Sequence, residues 1–548
     1  MTKLINHMNK GFHTIQLLLT ILLLGGLSSN LFAQNERDAY RHSQTIPTGS
    51  ARMMAMGGAY SAAGGDVGVS TINPAGLGIF RSSVYSFSPT YSFGTVNSNF
   101  IDASGSGNSR YFGMPNWGAA FTTMNYENEE QARRSRNKIK SYTISFGHNQ
   151  TENYHRNSVV QGAFNQFSSI TNMFAEMAQG QDFNDLLGSS SFPGLALQTF
   201  MIEVIADQAD SLDYYGAADR GMIEQTVQIQ ERGKRNEWYG AVGANIADKL
   251  YIGGAVTWER VRYQQNFTFS EADIDNNYEV YDPFQFNGFP LELPLSSLSF
   301  RDTFSTSGSG IGATFGLIYR PSDAIRVAFS AKTPTFYTLT DFFDNSFTTV
   351  IENNTGTEEI QALPAEAGTF RYNLLTPFRL TGGLMLQLQK YGFLTADLEY
   401  LDYRTSRLSS FETNINSPGY YSFSDENAAI RNDYTSALNV RVGAEGRFNI
   451  FRVRVGGALY GTGLNAASRE YVDDIDFTTQ RSVNNNRLVL TGGLGIRQRN
   501  FFVDVSIVNW RQEDKVSPYS LSTPDSFQPN LVSNRIVNNI TATIGFNY

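Results

Sequence analysis

Asn539-Ile-Thr-Ala-Thr-Ile-Gly-Phe-Asn-Tyr548 alternates strictly: Ile540, Ala542, Ile544, Phe546 and Tyr548 fall on one face of an extended strand, and Thr541, Thr543, Gly545 and Asn547 on the other. A strand of an outer-membrane barrel places such an apolar face in lipid and an aromatic residue at the interface. The same form recurs upstream in pairs joined by tight turns. Residues 487–496 and 501–510 are separated only by Arg497-Gln-Arg-Asn500, and 437–448 and 451–460 are closer still. Further pairs are 376–388 with 393–403, 310–319 with 325–335, and 238–246 with 250–269. Arg320-Pro-Ser-Asp323 and Asn245-Ile-Ala-Asp-Lys249 supply the Pro, Asp and Asn that tight turns favour.

Between these hairpins lie long polar connections at about 270–308, 340–368, 408–432, 466–484 and 512–533. Short turns alternating with long loops are the bacterial outer-membrane arrangement, with the short turns periplasmic. Adding 84–93, 117–126, 141–149 and the final strand gives an expected 14 strands in an antiparallel transmembrane β-barrel spanning 83–548. The connection 127–140 is long for a periplasmic turn. Asp397 and Glu399, Arg452 and Arg454, and Arg326 alternate with apolar neighbours, so they are expected to point into a wet lumen. On the lipid face each charge costs ~2–4 kcal/mol near the midplane.

The start of the chain sets the compartment. Lys3 and Lys10 precede an apolar run over 15–27 that is too short to span a bilayer, and Leu31-Phe32-Ala33 offers a cleavage site, so 1–33 reads as a signal peptide. Removing two lysines and no acids moves the formal charge from −9 to −11, a balance that argues against nucleic acid as a partner. Aromatic residues make up 13% of the chain, yet the mean hydropathy is −0.29, as expected when half of each strand faces a polar lumen. Cysteine is absent. No later segment is long and apolar enough for a spanning helix, so a closed barrel is what remains for a membrane protein.

Residues 34–82 do not read as strands. Small apolar residues and glycines dominate, and a segment this short is marginal alone, so its natural place is inside the barrel as a plug. Met56-Gly57-Gly58-Ala59, Asp66 and Asn73-Pro74-Ala75-Gly76-Leu77 resemble the N-terminal hatch of the FadL/TodX family of outer-membrane transporters for hydrophobic compounds. The stretch 309–327, with Gly310, Gly312 and Gly316, and the hairpins 377–403 and 440–460 are also similar to that family, so the likeness covers almost the whole mature chain. What it implies is capture of a hydrophobic, fatty-acid-like compound outside, passage inward and release past the hatch, with Gly57, Gly58, Asp66, Asn73, Pro74 and Ala75 at the gate. It also implies a cell outer-membrane location, contact with outer-membrane lipid and lipopolysaccharide, and insertion by the barrel-assembly machinery. Pro74 fixes its own φ and biases Asn73 toward an extended conformation, which suits a rigid corner.

The longest loop is expected over 150–236. Within it Val160, Phe164, Phe167, Ile170, Phe174 and Met177 recur at helical spacing, giving an amphipathic helix. Phe164, Phe167, Ile170, Phe174 and Met177 are candidates for a ligand-capture groove, and their alternative is packing that caps the barrel. Enzyme, metal and cofactor sites are not expected. Only His42, His148 and His155 remain after signal removal, and Glu271, Asp273 and Asp275, like Asp473, Asp474 and Asp476, read better as solvated loop acids than as a cation site. Tyr420, Tyr421, Phe284, Phe286 and Phe289 suggest a competing role, a secretion or surface-attachment scaffold without small-molecule transport.

Overall fold

The computed structural model describes residues 36–46, 48–126, 138–204, 213–218, 222–274, 279–282, 291–353, 356–364, 367–415, 417, 419–465, 486–522 and 529–548. The signal peptide, most of the 127–140 connection, Asp275, the acids at 473–476 and Phe284, Phe286 and Phe289 lie outside them.

Fourteen strands close on themselves. They are β1 (Val84–Phe100), β2 (Ala103–Met124), β3 (Ile139–Asn153, continued by Arg156–Asn165), β4 (Ile223–Ile246), β5 (Leu250–Asp273) and β6 (Leu291–Tyr319). Next come β7 (Ile325–Lys332, continued by Phe336–Asn353), β8 (Gly368–Leu375, continued by Arg379–Leu388) and β9 (Gly392–Asp402, continued by Arg407–Ser410). The series ends with β10 (Ser436–Phe448), β11 (Phe451–Tyr460), β12 (Arg487–Arg497), β13 (Phe501–Val516) and β14 (Leu531–Asn547). Every neighbouring pair is antiparallel, and β14 closes on β1 from Val84↔Asn547 to Phe100↔Leu531. The breaks in β7 and β8 fall beside Pro334 and Pro377, where a missing N–H interrupts the ladder.

The terminal strand behaves as its alternation requires. Thr541 and Thr543 are buried, Ile540 and Phe546 are exposed, and Tyr548 stacks on Tyr85 with ring centroids 5.5 Å apart. Around the barrel Leu394, Leu398, Val453, Val455, Ile507 and Phe315 face outward, forming an apolar belt. Tyr85, Tyr142, Tyr319 and Phe448 rim it at the short-turn end, and Trp117 and Trp258 at the other. An apolar belt between aromatic rims is the exterior of a membrane-spanning barrel.

Beyond the belt the pattern inverts. On β6, Ile311, Phe315 and Leu317 point outward, but further up Leu298, Phe300 and Phe304 point inward while Ser299, Ser305 and Ser307 line the outer face. β4 repeats the switch, with Val242 outside and Ile223, Val227 and Ile229 inside. Outside the bilayer the strands bury apolar residues inward, as a water-soluble sheet does. Much of the expected loops 270–308 and 340–368 is therefore strand, and the longest connection covers 166–222 rather than 150–236.

Candidate functional site

Residues 36–82 thread the lumen. The segment begins as helix α1 (Glu36–Ser43), continues through a single helical turn, α2 (Ala51–Met54), and ends in short 3-10 helices at Val67–Thr71 and Pro74–Ile79. Gly57 and Gly58 sit at φ +63° and +75°, a region open to glycine at little cost, and turn the chain between α2 and Tyr60. Asp66 accepts hydrogen bonds from Ser50 Oγ (2.7 Å) and the Gly68 N–H (3.0 Å), so one carboxylate caps a 3-10 helix and ties it to α2. Asn73 caps the second: its Oδ1 accepts from the Ala75 N–H at 3.2 Å, and its Nδ2 donates to Ser61 O at 3.0 Å. Pro74 occupies the first helical position, where its missing N–H costs nothing.

This segment seats on a band of wall glycines. Gly243 pairs with Gly253, and Gly253 in turn with Gly316, so three adjacent strands present bare backbone at one level. A Cβ on Gly253 would come within 2.4 Å of the Pro74 backbone, and one on Gly316 within 1.9 Å of Asn73 Oδ1. Across the lumen Gly443 and Gly456 pair and receive Met56; a Cβ on Gly456 would lie 2.3 Å from the Met56 carbonyl carbon.

Polar ties fix the seat. Asp397 accepts from the Tyr60 N–H (2.9 Å), the Ser61 N–H (3.0 Å) and Ser61 Oγ (2.6 Å). Arg52 of α2 meets Glu445 at 3.1 Å, and Glu445 also binds Arg454, which continues to Asp504 at 2.6 Å. Arg326 donates to Ala63 O at 3.0 Å. Of the lumen-facing charges expected from the sequence, Asp397, Glu399, Arg326 and Arg454 lie inside, each hydrogen-bonded or ion-paired, whereas Arg452 donates to Asn449 O at 2.6 Å and Phe451 O at 2.8 Å at the short turn. Three wall arginines that the sequence did not single out hold the end of α1. Arg235 donates to His42 O and Gln44 O, Arg379 to Ser43 O and Thr45 Oγ1, and Arg487 to Gln44 Oε1. Carbonyls at a helix C-terminus carry partial negative charge and favour such cations.

Above this floor lie two chambers. One, about 100 Å³, is lined by Thr45, Lys332, Glu237, Arg379, Glu399 and Arg441 among others. The other, about 120 Å³, lies beside α1 and is lined by Arg156, Glu231, Arg487, Asp514, Lys515 and Arg535 among others. Arg156 is buried, lies 3.3 Å from Asp514, and keeps Nε and Nη2 without hydrogen-bond partners.

The mouth is apolar. Helices α3 (Ile170–Ala178), α4 (Phe183–Leu187) and α5 (Phe192–Gln198) drop into the upper sheet, where Ile170, Met173, Phe174, Leu195 and Leu197 join Val227, Ile229, Phe267, Phe300 and Phe347 in one cluster. Phe174 lies 5.1 Å from Phe347 and 5.8 Å from Phe300, ring to ring. The expected capture residues therefore divide. Ile170 and Phe174 are fully buried and Met177 partly so, whereas Phe164 lies in the strand continuing β3 and Phe167 in the turn after it, both outward. The helix is shorter than its apolar spacing predicts, because Val159 and Val160 extend β3 and Ser169 caps α3. Ser169 Oγ and the Ile170 N–H bind Glu271, which also accepts from Gln225 at 2.7 Å. Glu271 is not a solvated loop acid: it is buried with no ion pair among the described residues, and burial raises its pKa to about 7.

Among the described residues the wall has a seam between β2 and β3. β2 pairs with β3 only from Asn116↔Asn149 to Met124↔Ser141. Higher up, the continuation of β3 stays on β4 and tucks inside the β1–β2 hairpin, with Ser98 Oγ 2.6 Å from Ser158 Oγ. Phe112 and Met114, both exposed, flank the outer side of this seam, and Tyr111 bridges it to Gln150 at 3.1 Å.

The histidines do not converge: His42 faces Tyr154 inside, His148 lies between Trp117 and Trp238 on the outer wall, and His155 binds Asn153. Tyr421 is partly buried against the Phe423 cluster and donates to Glu426, so it is less available to a partner than its sequence context suggests.

A solved FadL homologue from Pseudomonas aeruginosa matches 92% of this chain and 99% of its own, with a TM-score of 0.50 at 10% identity. The chain has the FadL fold. The toluene transporters TbuX of Ralstonia pickettii and TodX of P. putida align with this FadL-type barrel over 92% of its length and 99% of theirs, at 13% and 12% identity and a TM-score of 0.47 each. No family model and no curated protein matches it.

Proposed function

We propose that the FadL-type barrel is an outer-membrane channel for hydrophobic small molecules, long-chain fatty acids among them, gated by its N-terminal plug. The observation that carries this reading is the order of compartments along the lumen: an apolar cluster at the mouth, beneath it a polar chamber where Arg37, Arg41, Arg156, Arg487, Lys515 and Arg535 face Glu36, Glu152, Glu231, Asp433 and Asp514, and a separate chain segment closing the floor. An acyl chain suits the first and a carboxylate the second, where Arg156 offers unpartnered donors. Asn73, Pro74 and Ala75 sit where a moving plug breaks contact with Gly253 and Gly316.

The test exploits the absence of cysteine. A Cβ on Gly383 would lie 3.2 Å from Ser61 Cβ, near the ~3.5–4.5 Å that a disulfide requires. In a deletion strain complemented with Ser61→Cys/Gly383→Cys, uptake of labelled oleate should stop under oxidation and return on reduction. Uptake that ignores the lock sinks the plug as gate, and no oleate or toluene uptake by the unmodified protein sinks transport itself. That second outcome would favour a non-transporting scaffold, a reading supported by the tight packing of the mouth cluster and the small size of both chambers.

A further inference from the structure

The outer wall of β4 and β5 carries a concentration of positive charge at one height. Trp238 and Trp258 pair across these strands with ring centroids 5.0 Å apart, and His148 and Trp117 continue the aromatic row onto β3 and β2. Such a row marks the height of lipid head groups on a membrane barrel. Immediately above it the outward positions are Asn236, Lys234 and Arg232 on β4 and Arg260, Arg262 and Gln264 on β5. Continuing up both strands to Thr226 and Ser270, no outward position carries an acid, and the facing positions on β6, Ser305, Ser307 and Ser309, are neutral. None of the four cations has an ion pair among the described residues.

Their register makes the arrangement costly in isolation. Lys234 and Arg262 are direct cross-strand partners, and like charges placed opposite one another destabilise a sheet. The lumen provides the contrast: there nearly every buried cation sits against a carboxylate, as Arg454 does against Glu445 and Asp504. A basic cluster without counterions, fixed on rigid strands at head-group height, needs an anion supplied by the membrane.

We propose that Arg232, Lys234, Arg260 and Arg262 form a binding site for a phosphorylated outer-leaflet lipid of the lipid A class. Its phosphates sit among the four cations, its acyl chains lie down the belt past Trp258, Val256 and Val242, and the Ser305–Ser309 row of β6 borders its polar sugar. The site is independent of the lumen and does not rest on transport.

Full-length protein in detergent is titrated with bisphosphorylated lipid A and read by native mass spectrometry. The fourfold variant Arg232→Gln/Lys234→Gln/Arg260→Gln/Arg262→Gln should lose about tenfold or more in affinity, since basic residues at an anionic lipid surface act together. Arg404→Gln/Arg511→Gln, which removes outward cations elsewhere, should bind as the parent does. Dephosphorylated lipid A should bind far more weakly, and inorganic phosphate at matched concentration should not displace the lipid. Equal affinity in the fourfold variant, indifference to the phosphates, or displacement by phosphate alone overturns the site. If the fourfold variant fails to fold by heat-modifiable gel mobility, Lys234→Gln/Arg262→Gln decides. It should bind severalfold more weakly while its barrel melts no lower, because a like-charge pair has gone. A fall in melting temperature with unchanged lipid affinity identifies a purely structural role and overturns the proposal.

Discussion

At the short-turn end of the lumen, Asn73, Pro74, Met56 and Ser61 meet the wall through hydrogen bonds and backbone seated on glycine, whereas at the mouth Ile170, Phe174 and Leu195 meet it through apolar area. The two closures fail in different ways. Apolar burial is non-directional and scales with area, so the cap can lose a contact and repack around it. The plug also packs apolar side chains on the wall, Met53, Met56 and Tyr60 clustering with Ile318, Met385 and Phe393, and Val67 and Leu77 with Tyr239 and Phe502, but directional bonds and the absence of side chains at named wall positions fix where it seats. A closure of that second kind suits a part that must leave its seat and return to the same place, since its register is set by named atoms rather than by area.

The comparison is broken most forcefully at the cap. Phe174→Ala empties the centre of the Phe300–Phe347 cluster and should cost about 3–5 kcal/mol locally. Hydrogen exchange should show α3 to α5 opening while the barrel melts unchanged; protection of those helices at the parent level would mean the cluster carries no such weight.

Glu271 sharpens the same contrast through pH. Its folded pKa of about 7 stands above the ordinary 4.5, so protonation favours the folded cap. The stability it contributes is complete below about pH 4.5 and is lost as pH rises through about 7. Glu271→Gln should abolish that dependence and tighten the cap at pH 8 by roughly 3 kcal/mol at most. Proteolysis of the 166–222 loop, measured from pH 5 to pH 8, checks it: susceptibility should climb with pH in the parent and stay flat in the variant.

Much of this molecule is written in its alternation, and the exceptions have a physical cause. The lower halves of the strands were legible because one face is apolar and the other polar, as at Leu394, Ala396 and Leu398 against Thr395, Asp397 and Glu399. Their upper halves read as loops because the apolar face changes sides where the strand leaves the membrane; residues 297–309 alternate as regularly, with Phe300 inward and Ser299 outward. Asn73, Pro74 and Gly57 stood out because their backbone demands are local. Glu271 reads from the sequence as a solvated loop acid, because its partners Ser169, Ile170 and Gln225 come from distant segments and nothing nearby in the chain marks it as buried. Arg235, Arg379 and Arg487 were hidden for the same reason: each looks like any lumen-facing charge until α1 brings its carbonyls to them.

At the plug, Gly456→Val places a side chain where the Met56 carbonyl carbon lies 2.3 Å away, an overpacking that should cost roughly 1–3 kcal/mol. The plug should yield rather than the wall, so cells should become more sensitive to large antibiotics that the outer membrane normally excludes. Its neighbour Gly457 is the control: a Cβ there meets Val489 O at 3.3 Å and comes within 4 Å of no plug atom, so Gly457→Val should leave permeability alone.

The smallest effect separates the two kinds of phenylalanine that the sequence placed together. Phe164 is exposed and outside the cluster of Phe174, so Phe164→Ser should change stability by less than about 0.5 kcal/mol. Its consequence for uptake is what matters. If Phe167→Ser or Phe164→Ser slows oleate uptake while the cap stays protected, ligand first lands on the outward surface beside the mouth. If uptake is unchanged by both and falls only with Phe174→Ala, the landing site is the buried cluster itself, and capture then requires α3 to lift, with the bond from Ser169 to Glu271 as its latch.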